Sequence, residues 1–521
     1  MHPTSPQKIV TKKKNSVDNN NNRITKKRKT SSSSTSLFNS NKSTQLNEKE
    51  KVFNDPVHGH VTLHPLCCSI VDTPQFQRLR DLLQLGPTYY VFPGASHRRF
   101  AHCIGVSYLA GVFLSCLKRN HGNDPIIKSL TKVDELCVKI AGLCHDLGHG
   151  PFSHTYDGKF VKAVRTEKGF DWAHEHASAA LLDYMLKSNE GLMEKFNAYG
   201  LHDEDIHFIK ELIFGSKSDA PKDWVWKGRG DGKDYLYEIV ANHRNGIDVD
   251  KFDYFARDCL HLGIPTSFDP HRLMRFARIL TLDDKSSKED GKTQIGYHEK
   301  EAWNIYELFH TRYNLHKRAY QHRVARAIEA MLVDALIYAN DHMLLSTKGT
   351  TKVKMSHAME HMDVYTKLTD TILKRIEWDA ERDKNLEKSA ALLMKLQKRE
   401  LYKFIGETLL PKEKTKESEN KIRNEILQYC KSNEEKEEIN ANLIVDRVKI
   451  NYGMGDLNPV DHVLFYLRDD DNSGGYLLKE QVSCFIPQIF EECYVRLYCK
   501  TADVNIINRL KELFNDWFKK K

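Results

Sequence analysis

The segment "AGLCHDLGHGPFSH", residues 141–154, places three histidines and an aspartate among three glycines, directly after an apolar run. The apolar residues of "ELCVKIAGLCHDLGH" recur at helical spacing, which predicts a buried helix that ends near Leu147. His145 and Asp146 are neighbours at the end of this helix, so both side chains can reach one ion placed there. Imidazole nitrogen and carboxylate oxygen are ligands that suit Zn, Fe or Mn.

Two ligands cannot hold a catalytic metal, so further ligands are expected from elsewhere in the chain. The candidates are His102, in "HRRFAH", and Asp250, in "NGIDVDKFDYFARD". A lone His-Asp pair is a weak signal, because most such pairs are surface pairs or helix caps. The additional Gly148, Gly150 and His154 are much harder to explain by chance, which favours a metal site at this turn with further ligands from the candidates.

The remaining sequence predicts a mainly α fold. "KVFNDPVHGHVTLHP" is typical of a short N-terminal β-hairpin, and helical patterns follow in "TPQFQRLRDLLQL", "VSYLAGVFLSCLKRN" and the segments 300–341 and 358–404. "LPKEKTKESENK" is typical of an exposed loop. Beyond it "NLIVDRVKINYG", "HVLFYLRD" and "CYVRLYCK" predict strands, and "NIINRLKELFNDWFKK" predicts a closing helix. We divide the chain into a polar tail at 1–50, a helical core at 51–340 and a smaller mixed α+β C-terminal lobe at 341–521.

The net charge of +8 comes from the tail. Eleven of the 79 basic residues and three of the 71 acidic residues lie in the first 50, so the rest of the chain carries 68 of each. The tail is rich in Asn, Ser and Lys and poor in apolar residues, which predicts disorder. Its cluster Lys26-Lys27-Arg28-Lys29 is interpreted as a nuclear localisation signal or a loose nucleic-acid contact, or equally well as a solvated charge run, and it weakly favours the nucleus.

The cysteines and the hydropathy of the chain give further indications of the cellular compartment. Eleven cysteines without CxxC spacing favour reduced thiols, as in the nucleus or the cytoplasm. The apolar stretches, such as "YLAGVFLSCL", are broken before they approach the roughly eighteen residues of a membrane span. We therefore expect no association with a membrane.

Four segments, "VFPGASHRRFAH", "IAGLCHDLGHGPFSH", "NGIDVDKFDYFARDC" and "LHKRAYQH", carry a close resemblance. The arrangement His102, His145-Asp146 and Asp250 resembles the HD-domain superfamily of metal-dependent phosphohydrolases. The longer segments are similar to the SAM- and HD-domain-containing deoxynucleoside triphosphate triphosphohydrolases, from about Lys51 to near the end of the chain. The resemblance implies an HD catalytic core and a C-terminal lobe for regulation and oligomerisation. Only the polar tail precedes the core, so we expect no SAM domain.

The resemblance implies a reaction that splits a dNTP into deoxynucleoside and inorganic triphosphate. It also implies one transition-metal ion (Zn, Fe or Mn) in the His/His/Asp/Asp site and Mg²⁺ on the nucleotide phosphates. Attack of water on the α-phosphorus expels the sugar 5′ oxygen, which needs a proton. His154 matches the family's donor position, whereas Asp157 and the His174-Glu175 pair of "WAHEHAS" match the relay that orients and tunes it.

Substrate contacts are implied in the same way. Tyr254 and Tyr320 would stack under the sugar and leave no room for a 2′ hydroxyl, and Gln84 and Asp258 would bind the 3′ hydroxyl. No residue demands one base, so all four dNTPs are expected substrates. The positions matched to substrate binding are Gln84, Leu85, Arg99, His149, His154, Lys251, Tyr254, Asp258, Arg312, Tyr320 and Gln321.

Members of the family assemble into a homotetramer through bridging nucleotides, so GTP or dGTP and a dNTP are implied as activators. A carboxylate at Asp72 could accept both the N1–H and the amino group of guanine. His298 departs from the family pattern, which has an arginine there. The matched activator positions are Lys51, Val52, Asn54, Asp72, Gln77, Arg80, Arg272, Phe276, Lys300, Asn304, His322, Arg323, Arg399, Lys403 and Arg468.

Two other functions remain open from the sequence. A different HD hydrolase could act on nucleic-acid ends or on another phosphorylated nucleotide, although Tyr320, Gln84 and Asp258 argue against it. A binding protein could hold single-stranded nucleic acid at the nucleotide-gated interface. Because nonspecific affinity depends on phosphate neutralisation, the neutral body of the chain predicts that such binding is weak.

Overall fold

The computed structural model describes residues 49–167, 170, 172–281, 292–349, 351–467, 470–477, 479–483 and 486–519. Residues 1–48, which hold nearly all of the predicted tail and the whole Lys26–Lys29 cluster, lie outside the described residues. Arg468, one of the predicted activator residues, lies outside them as well. Predictions on these residues therefore stay predictions.

Helices dominate the described chain, which confirms the predicted mainly α fold. Two short π-helical segments, Tyr156–Val161 and His316–Tyr320, carry residues of the candidate site. The α-helices, α1 to α20, span Pro65–Val71, Pro74–Gln77, Arg99–His121, Pro125–Lys128, Lys132–Cys144, Lys162–Val164, His174–Ser188, Leu192–Ala198, Asp203–Phe214, Val249–Leu262, Pro270–Arg275, Ala302–Leu315, Arg323–Ala339, Met362–Tyr365, Ile372–Asp379, Glu387–Gln397, Glu419–Leu427, Asn433–Asn442, Lys479–Val482 and Val504–Lys519.

The strands form four small sheets in the described chain. Their orders are β1-β2, β5-β6, β10-β9-β4-β3 and β7-β11-β8, and β4 pairs in parallel with β9. The strands predicted in the C-terminal lobe are confirmed as β8, β9 and β11. The strands, β1 to β11, span Lys51–Asp55, Gly59–Leu63, Ala277–Thr281, Thr293–His298, Leu344–Ser346, Lys352–Lys354, Lys403–Leu409, Leu443–Asn451, Leu464–Leu467, Asp470–Tyr476 and Glu491–Cys499.

The predicted N-terminal hairpin is confirmed as the antiparallel pair β1 and β2. Its turn is closed by Asp55, whose Oδ1 accepts hydrogen bonds from the backbone N–H groups of Val57 and His58 at 2.8 and 2.9 Å. Gly59 completes the turn with a φ of +72°, a left-handed conformation that glycine adopts without a Cβ clash. An aspartate followed by proline and then glycine thus fixes where the chain reverses.

The continuous helix predicted for "TPQFQRLRDLLQL" is wrong. It begins as expected, because the Thr73 hydroxyl accepts a hydrogen bond from the N–H of Phe76 and caps α2. After Gln77 the chain tightens into the 3₁₀ segment Arg78–Asp81. The Arg78 guanidinium there donates to backbone carbonyls of Leu147, His149 and Leu368. Tertiary hydrogen bonds override the helical pattern, and they bring this segment against the His-Asp turn.

Helix α3 is apolar on all sides and lies in the centre of the core. In the described chain it is the one helix long and apolar enough to cross a membrane, so the expectation that no apolar stretch reaches that length is wrong. However, 72% of its apolar window is buried inside the protein. A helix that is apolar all round and surrounded by protein has the position of a core helix.

The apolar core continues across the predicted boundary at residue 340. The main core collects side chains from β2 to β11 and includes the buried faces of α15 and α16. A second, smaller core lies between the sheet β7-β11-β8 and the helices α17, α18 and α20. The division at residues 340 and 341 stays a prediction, whereas Asn47–Lys521 forms one compact unit.

Candidate active site

The helix before the His-Asp pair ends earlier than predicted. Helix α5 ends at Cys144, and His145 and Asp146 lie in the turn beyond it. A Cβ at Gly148 would lie 2.0 Å from the carbonyl oxygen of His174, so only glycine allows this turn to pack on the start of α7. The glycines of "HDLGHG" therefore bring the His-Asp turn close to the His174-Glu175 pair.

His145 presents one free nitrogen to the site. Its Nδ1 lies 2.8 Å from the carbonyl oxygen of Gly142 and must donate to it, because a carbonyl only accepts. In the neutral ring the Nε2 atom then carries the lone pair, and this atom is buried without a hydrogen-bond partner. It lies 3.4 Å from Asp146 Oδ1 and 3.3 Å from Asp250 Oδ1.

His102, on α3, points its Nε2 at the same carboxylates. The Nε2 atom lies 3.1 Å from Asp250 Oδ1 and 3.5 Å from Asp146 Oδ2, while Nδ1 lies 2.7 Å from Asp253 Oδ2. Burial disfavours the charged ring, but the carboxylates outweigh it and raise the pKa of His102 to about 10. The site therefore favours positive charge.

The four predicted metal ligands thus lie together in the structure. His102, His145 and Asp146 offer ligand atoms within 4.8 Å of one another, and Asp250 closes the group from α10. Two imidazole nitrogens and two carboxylates form a donor set that fits a transition-metal ion, with Nδ1 of each histidine fixed by a hydrogen bond.

Asp253, which was not predicted from the sequence, contacts this group from the side opposite the carboxylates. Asp253 is fully buried on α10, and its carboxylate contacts His102 Nδ1 and His58 Nε2, each at 2.7 Å. Arg257 donates two hydrogen bonds of 2.8 Å to the same carboxylate and a third, of 3.0 Å, to Asp55. The spacing of Asp253 three residues after Asp250 on a helix was the signal that could have revealed it.

The predicted proton-donor residues form a second group beside the first. His154 Nδ1 lies 3.7 Å and His174 Nδ1 lies 3.3 Å from Asp157 Oδ2, and His174 Nε2 lies 3.2 Å from Glu175 Oε1. Burial opposes the charge of Asp157, but its contacts with His154 and His174 hold the pKa of this carboxyl well below its usual range. The anionic Asp157 can therefore keep a neighbouring imidazole protonated.

Both groups open on one cavity of about 420 Å³. Lys251 is the one predicted substrate residue that does not line it, and its Nζ pairs with Asp248 Oδ2 at 2.7 Å. His316 also lines the cavity; it lies in the quoted "LHKRAYQH" but was not predicted as a site residue. Burial and the charge of Arg312 lower the pKa of His316 to about 3. The predicted residues that line the cavity are Gln84, Leu85, Arg99, His102, Asp146, His149, His154, His174, Asp250, Tyr254, Asp258, Arg312, Tyr320 and Gln321.

The predicted sugar contacts lie on one side of this cavity. The Tyr320 hydroxyl donates to Asp258 Oδ2 at 2.5 Å, and His97 Nε2 lies 2.6 Å from Asp258 Oδ1. The amide oxygen Oε1 of Gln84 is buried and makes no hydrogen bond. An unpaired acceptor of this kind is available to a hydroxyl group of a ligand.

The predicted phosphate contacts are partly engaged within the protein. Arg99 forms a short ion pair with Asp146 and donates to the Ser153 hydroxyl at 3.0 Å. Arg312 donates to the carbonyl oxygen of Asn451 on β8. These contacts hold both guanidinium groups beside the cavity.

The turn that carries His154 is strained and is held from the C-terminal lobe. Phe152 and Ser153 have φ values of +58° and +57°, which are left-handed conformations that non-glycine residues rarely adopt. Asp370 accepts hydrogen bonds from the N–H of Phe152 at 2.7 Å and from the N–H of Leu83 at 2.8 Å. Asp370 thereby connects the loops that carry His154 and Gln84.

Within the described chain, the predicted activator residues include two groups and several separate positions. In the first, Lys51 Nζ and Asp72 Oδ2 make an exposed ion pair of 2.7 Å, and Arg80 donates to Gln77. Val52 is 63% exposed on the same hairpin. Asn54 lies on the same strand, β1. Elsewhere, Arg399 donates to the carbonyl oxygen of Tyr90, and Lys403 begins β7. Arg323 lies over the ring of Phe404, and His322 packs against Phe92.

The second group surrounds Phe276. The guanidinium of Arg272 and the ammonium of Lys300 lie 5.5 and 5.7 Å from the Phe276 ring centre. Asn304 and Arg272 both donate to Glu301. His298, where the family pattern has arginine, is buried against Phe276 and Tyr466.

The fold and the His/His/Asp/Asp group define an HD-domain protein, and the HD domain family matches residues 99–258. The chain is 45% identical over 480 residues to deoxynucleoside triphosphate triphosphohydrolase SAMHD1 of Bos taurus, covering 91% of this chain and 79% of that protein. Identity to the Homo sapiens protein of that name is 43% over 484 residues, covering 90% and 73%. The SAMHD1 homolog of Dictyostelium discoideum is 37% identical over 456 residues, covering 88% and 78%. The chain belongs to the SAMHD1 family.

Proposed function

We propose that this protein is a metal-dependent triphosphohydrolase that converts a dNTP into a deoxynucleoside and inorganic triphosphate. The observation that carries the proposal is the convergence of two groups on one cavity, the His/His/Asp/Asp group and the His154–Asp157–His174 relay. A family whose members are named deoxynucleoside triphosphate triphosphohydrolases supports it. We propose all four dNTPs as substrates, because no residue that lines the cavity in the described chain demands one particular base.

The metal would be held by His102 and His145 through Nε2 and by Asp146 and Asp250 through carboxylate oxygens. When bound, a transition-metal ion supplies a Lewis acid that lowers the pKa of water. Zn, Fe and Mn are all compatible with these ligands, and Mg²⁺ would accompany the triphosphate.

The leaving group needs a proton, and His154 is the proposed donor. The oxygen of water forms a bond to the α-phosphorus and passes a proton to solvent, while the bond from phosphorus to the sugar 5′ oxygen breaks. That oxygen then takes a proton from the His154 ring. Asp157, anionic between His154 and His174, stabilises the charged donor, and Glu175 orients His174.

Discrimination against ribonucleotides is proposed to be steric. The Tyr320 hydroxyl is fixed by Asp258, which His97 fixes in turn, so the tyrosine ring cannot move aside cheaply. A rigid ring in contact with C2′ excludes a hydroxyl there. Gln84 would select the 3′ hydroxyl through its unpaired amide oxygen.

The test is incubation of the purified protein and dGTP with Mg²⁺ and either Mn²⁺ or Fe²⁺, followed by separation of the products. Deoxyguanosine and triphosphate in equal amounts are expected. His145→Ala should lose both activity and tightly bound metal. His176 makes a hydrogen bond with the Asp219 carbonyl outside the site, so His176→Ala should lose neither. Release of phosphate or pyrophosphate instead would contradict the proposal.

We further propose that GTP or dGTP, together with a dNTP, activates the enzyme by assembling a homotetramer. The exposed Lys51–Asp72 pair supports this, because guanine could bind to Asp72 while its phosphates take over Lys51. A nucleotide bound to groups on distant parts of the chain can favour assembly by mass action. In this proposal the tetramer consists of four copies of this chain.

Sedimentation and dATP turnover, each with and without GTP, test this regulation. Wild type should assemble and turn over dATP only when GTP is present, and Asp72→Ala should lose the response. Asp379→Ala removes an exposed carboxylate that pairs with Arg375 on α15 and serves as the matched control. A tetramer of equal abundance in every condition would contradict the proposal.

A further inference from the structure

A second group of metal-binding side chains lies beside the His/His/Asp/Asp group. His149, His154, Asp157 and His174 each offer one ligand atom, and these atoms all lie within 4.8 Å of one another. We name these four residues the histidine cluster. Within the described ranges of the chain, it and the His102 group are the two groupings of this kind.

His149 contributes a nitrogen that has no partner in the protein. The residue is 2% exposed, and its Nδ1 makes no hydrogen bond. In a neutral imidazole only one of the two nitrogens carries a proton, and the other can bind an ion. With Nε2 lying 3.3 Å from Asp146 Oδ1, the Nδ1 atom carries a lone pair that an ion can accept.

The other buried members of the histidine cluster are held in place by neighbouring rings and carboxylates. His174 stacks on His149 at 3.9 Å between ring centres, and its two nitrogens face Asp157 and Glu175. A carboxylate on the far nitrogen of a ligating histidine fixes the ring and makes the near nitrogen a better ligand. Asp157 is anionic and buried, as a metal-binding carboxylate requires.

His154 is the adaptable member of the histidine cluster. Its side chain is 73% exposed, and its ring centre lies 5.0 Å from that of His149 and 5.5 Å from that of His174. A small rotation of an exposed ring can bring its nitrogen to the distance of about 2.0–2.1 Å at which imidazole binds zinc. The two metal-binding groups meet at Asp146, which contacts both His145 and His149.

We propose that the histidine cluster is a second transition-metal site of three histidines and one aspartate, and that an ion bound there inhibits the enzyme. Such a donor set selects Zn²⁺ or Co²⁺ over Mg²⁺. A metal ion binds only unprotonated imidazole nitrogens, so any proton on a ligating nitrogen would pass to solvent. The inhibitory part rests on the proposed function, since an occupied His154 can no longer give a proton to the leaving group, whereas the binding part does not.

Binding is tested by equilibrium dialysis of the metal-replete protein against Co²⁺, with elemental analysis of the bound ions. Wild type should take up one additional equivalent, and His154→Ala and His174→Ala should each weaken that uptake by about tenfold or more. His176 lies on α7 close to His174 but is not part of the histidine cluster, so His176→Ala should bind cobalt as wild type does. His154 is exposed, so its replacement keeps the test valid if the His174 variant fails to fold.

The outcomes separate the two proposals. No additional equivalent in wild type, or unchanged uptake by His154→Ala, would overturn the second site. We expect dGTP turnover to be lost over the range of Zn²⁺ concentrations in which the additional ion binds. Undiminished turnover with the additional ion bound would overturn the inhibition, whereas an additional ion in a protein that hydrolyses no dNTP under any condition would leave the site standing and refute the proposed function.

Discussion

Replacement of Asp370 by alanine tests how the active-site turn is held. The Asp370 carboxylate accepts hydrogen bonds from the backbone N–H groups of Phe152 and Leu83, at 2.7 and 2.8 Å. Phe152 and Ser153 are in left-handed conformations, which disfavour a non-glycine residue by roughly 1–2 kcal/mol each. Without Asp370 the turn can relax, and His154, the next residue, moves with it.

Two opposing contributions determine how far Asp370→Ala changes the free energy of unfolding. Two buried N–H groups lose their acceptor, at a cost of about 1–3 kcal/mol each. Burial raises the pKa of Asp370 from its usual 3.8 to about 6, so ionised Asp370 is disfavoured at neutral pH by roughly 3 kcal/mol. The folded protein binds the extra proton between about pH 4 and 6, so the contribution of Asp370 to the free energy of unfolding decreases as pH rises through this window.

The lost acceptors cost about 2–6 kcal/mol and removal of the disfavoured carboxylate offsets roughly 3, so we expect Asp370→Ala to lower the free energy of unfolding by no more than about 3 kcal/mol near neutral pH, and by more near pH 4–5. Turnover should fall far more, by about 10²-fold, because a displacement of about 1 Å in a catalytic group has an effect of that size.

The assay compares initial rates of dNTP hydrolysis with denaturant unfolding at about pH 5 and 7.5. Asp363→Ala is the control, because Asp363 lies close to Asp370 in the sequence. The Asp363 carboxylate accepts a hydrogen bond from the N–H of exposed Lys348, away from the cavity. A folded Asp370→Ala protein with wild-type turnover would refute the reasoning.

Three further substitutions separate the parts of the site. His154→Ala should retain the metal and lose roughly 10²–10⁴ in turnover, and a wild-type rate would place the proton donor elsewhere. Tyr320→Ala should raise hydrolysis of ribonucleotides relative to deoxynucleotides, and an unchanged ratio would mean that the ring only packs. Asp253→Ala should weaken metal binding by about 10–100-fold through His102, as measured by competition with a chelator, and unaltered affinity would show that Asp253 does not position that ligand.

The sequence contained the chemistry of the site but not the contacts that hold it. The HD motif, the hairpin and the buried helix α3 follow from local spacing, because periodicity and turn chemistry act within about ten residues. Arg78 and Asp370 were not foreseen, since a hydrogen bond between residues 290 positions apart, as from Arg78 to Leu368, leaves no periodic signal. The same long-range bonds ended the predicted helix at Gln77.

The end of α5 has a related cause. The pattern extended the helix to Leu147, but Gly148 must fit against the carbonyl of His174, and this packing stops the helix at Cys144. Packing between elements is decided by tertiary structure, which a single sequence does not display. Side-chain identity therefore predicted which residues share the cavity better than it predicted the backbone that carries them.

Hydrolysis of dGTP in water enriched in a heavy oxygen isotope tests the central claim most directly. Attack on the α-phosphorus, followed by protonation of the 5′ oxygen by His154, predicts that the label enters inorganic triphosphate and that deoxyguanosine carries none. Mass spectrometry of both products reads this out, with His145→Ala as the blank. Label in the deoxyguanosine, or products other than deoxyguanosine and triphosphate, would contradict the account.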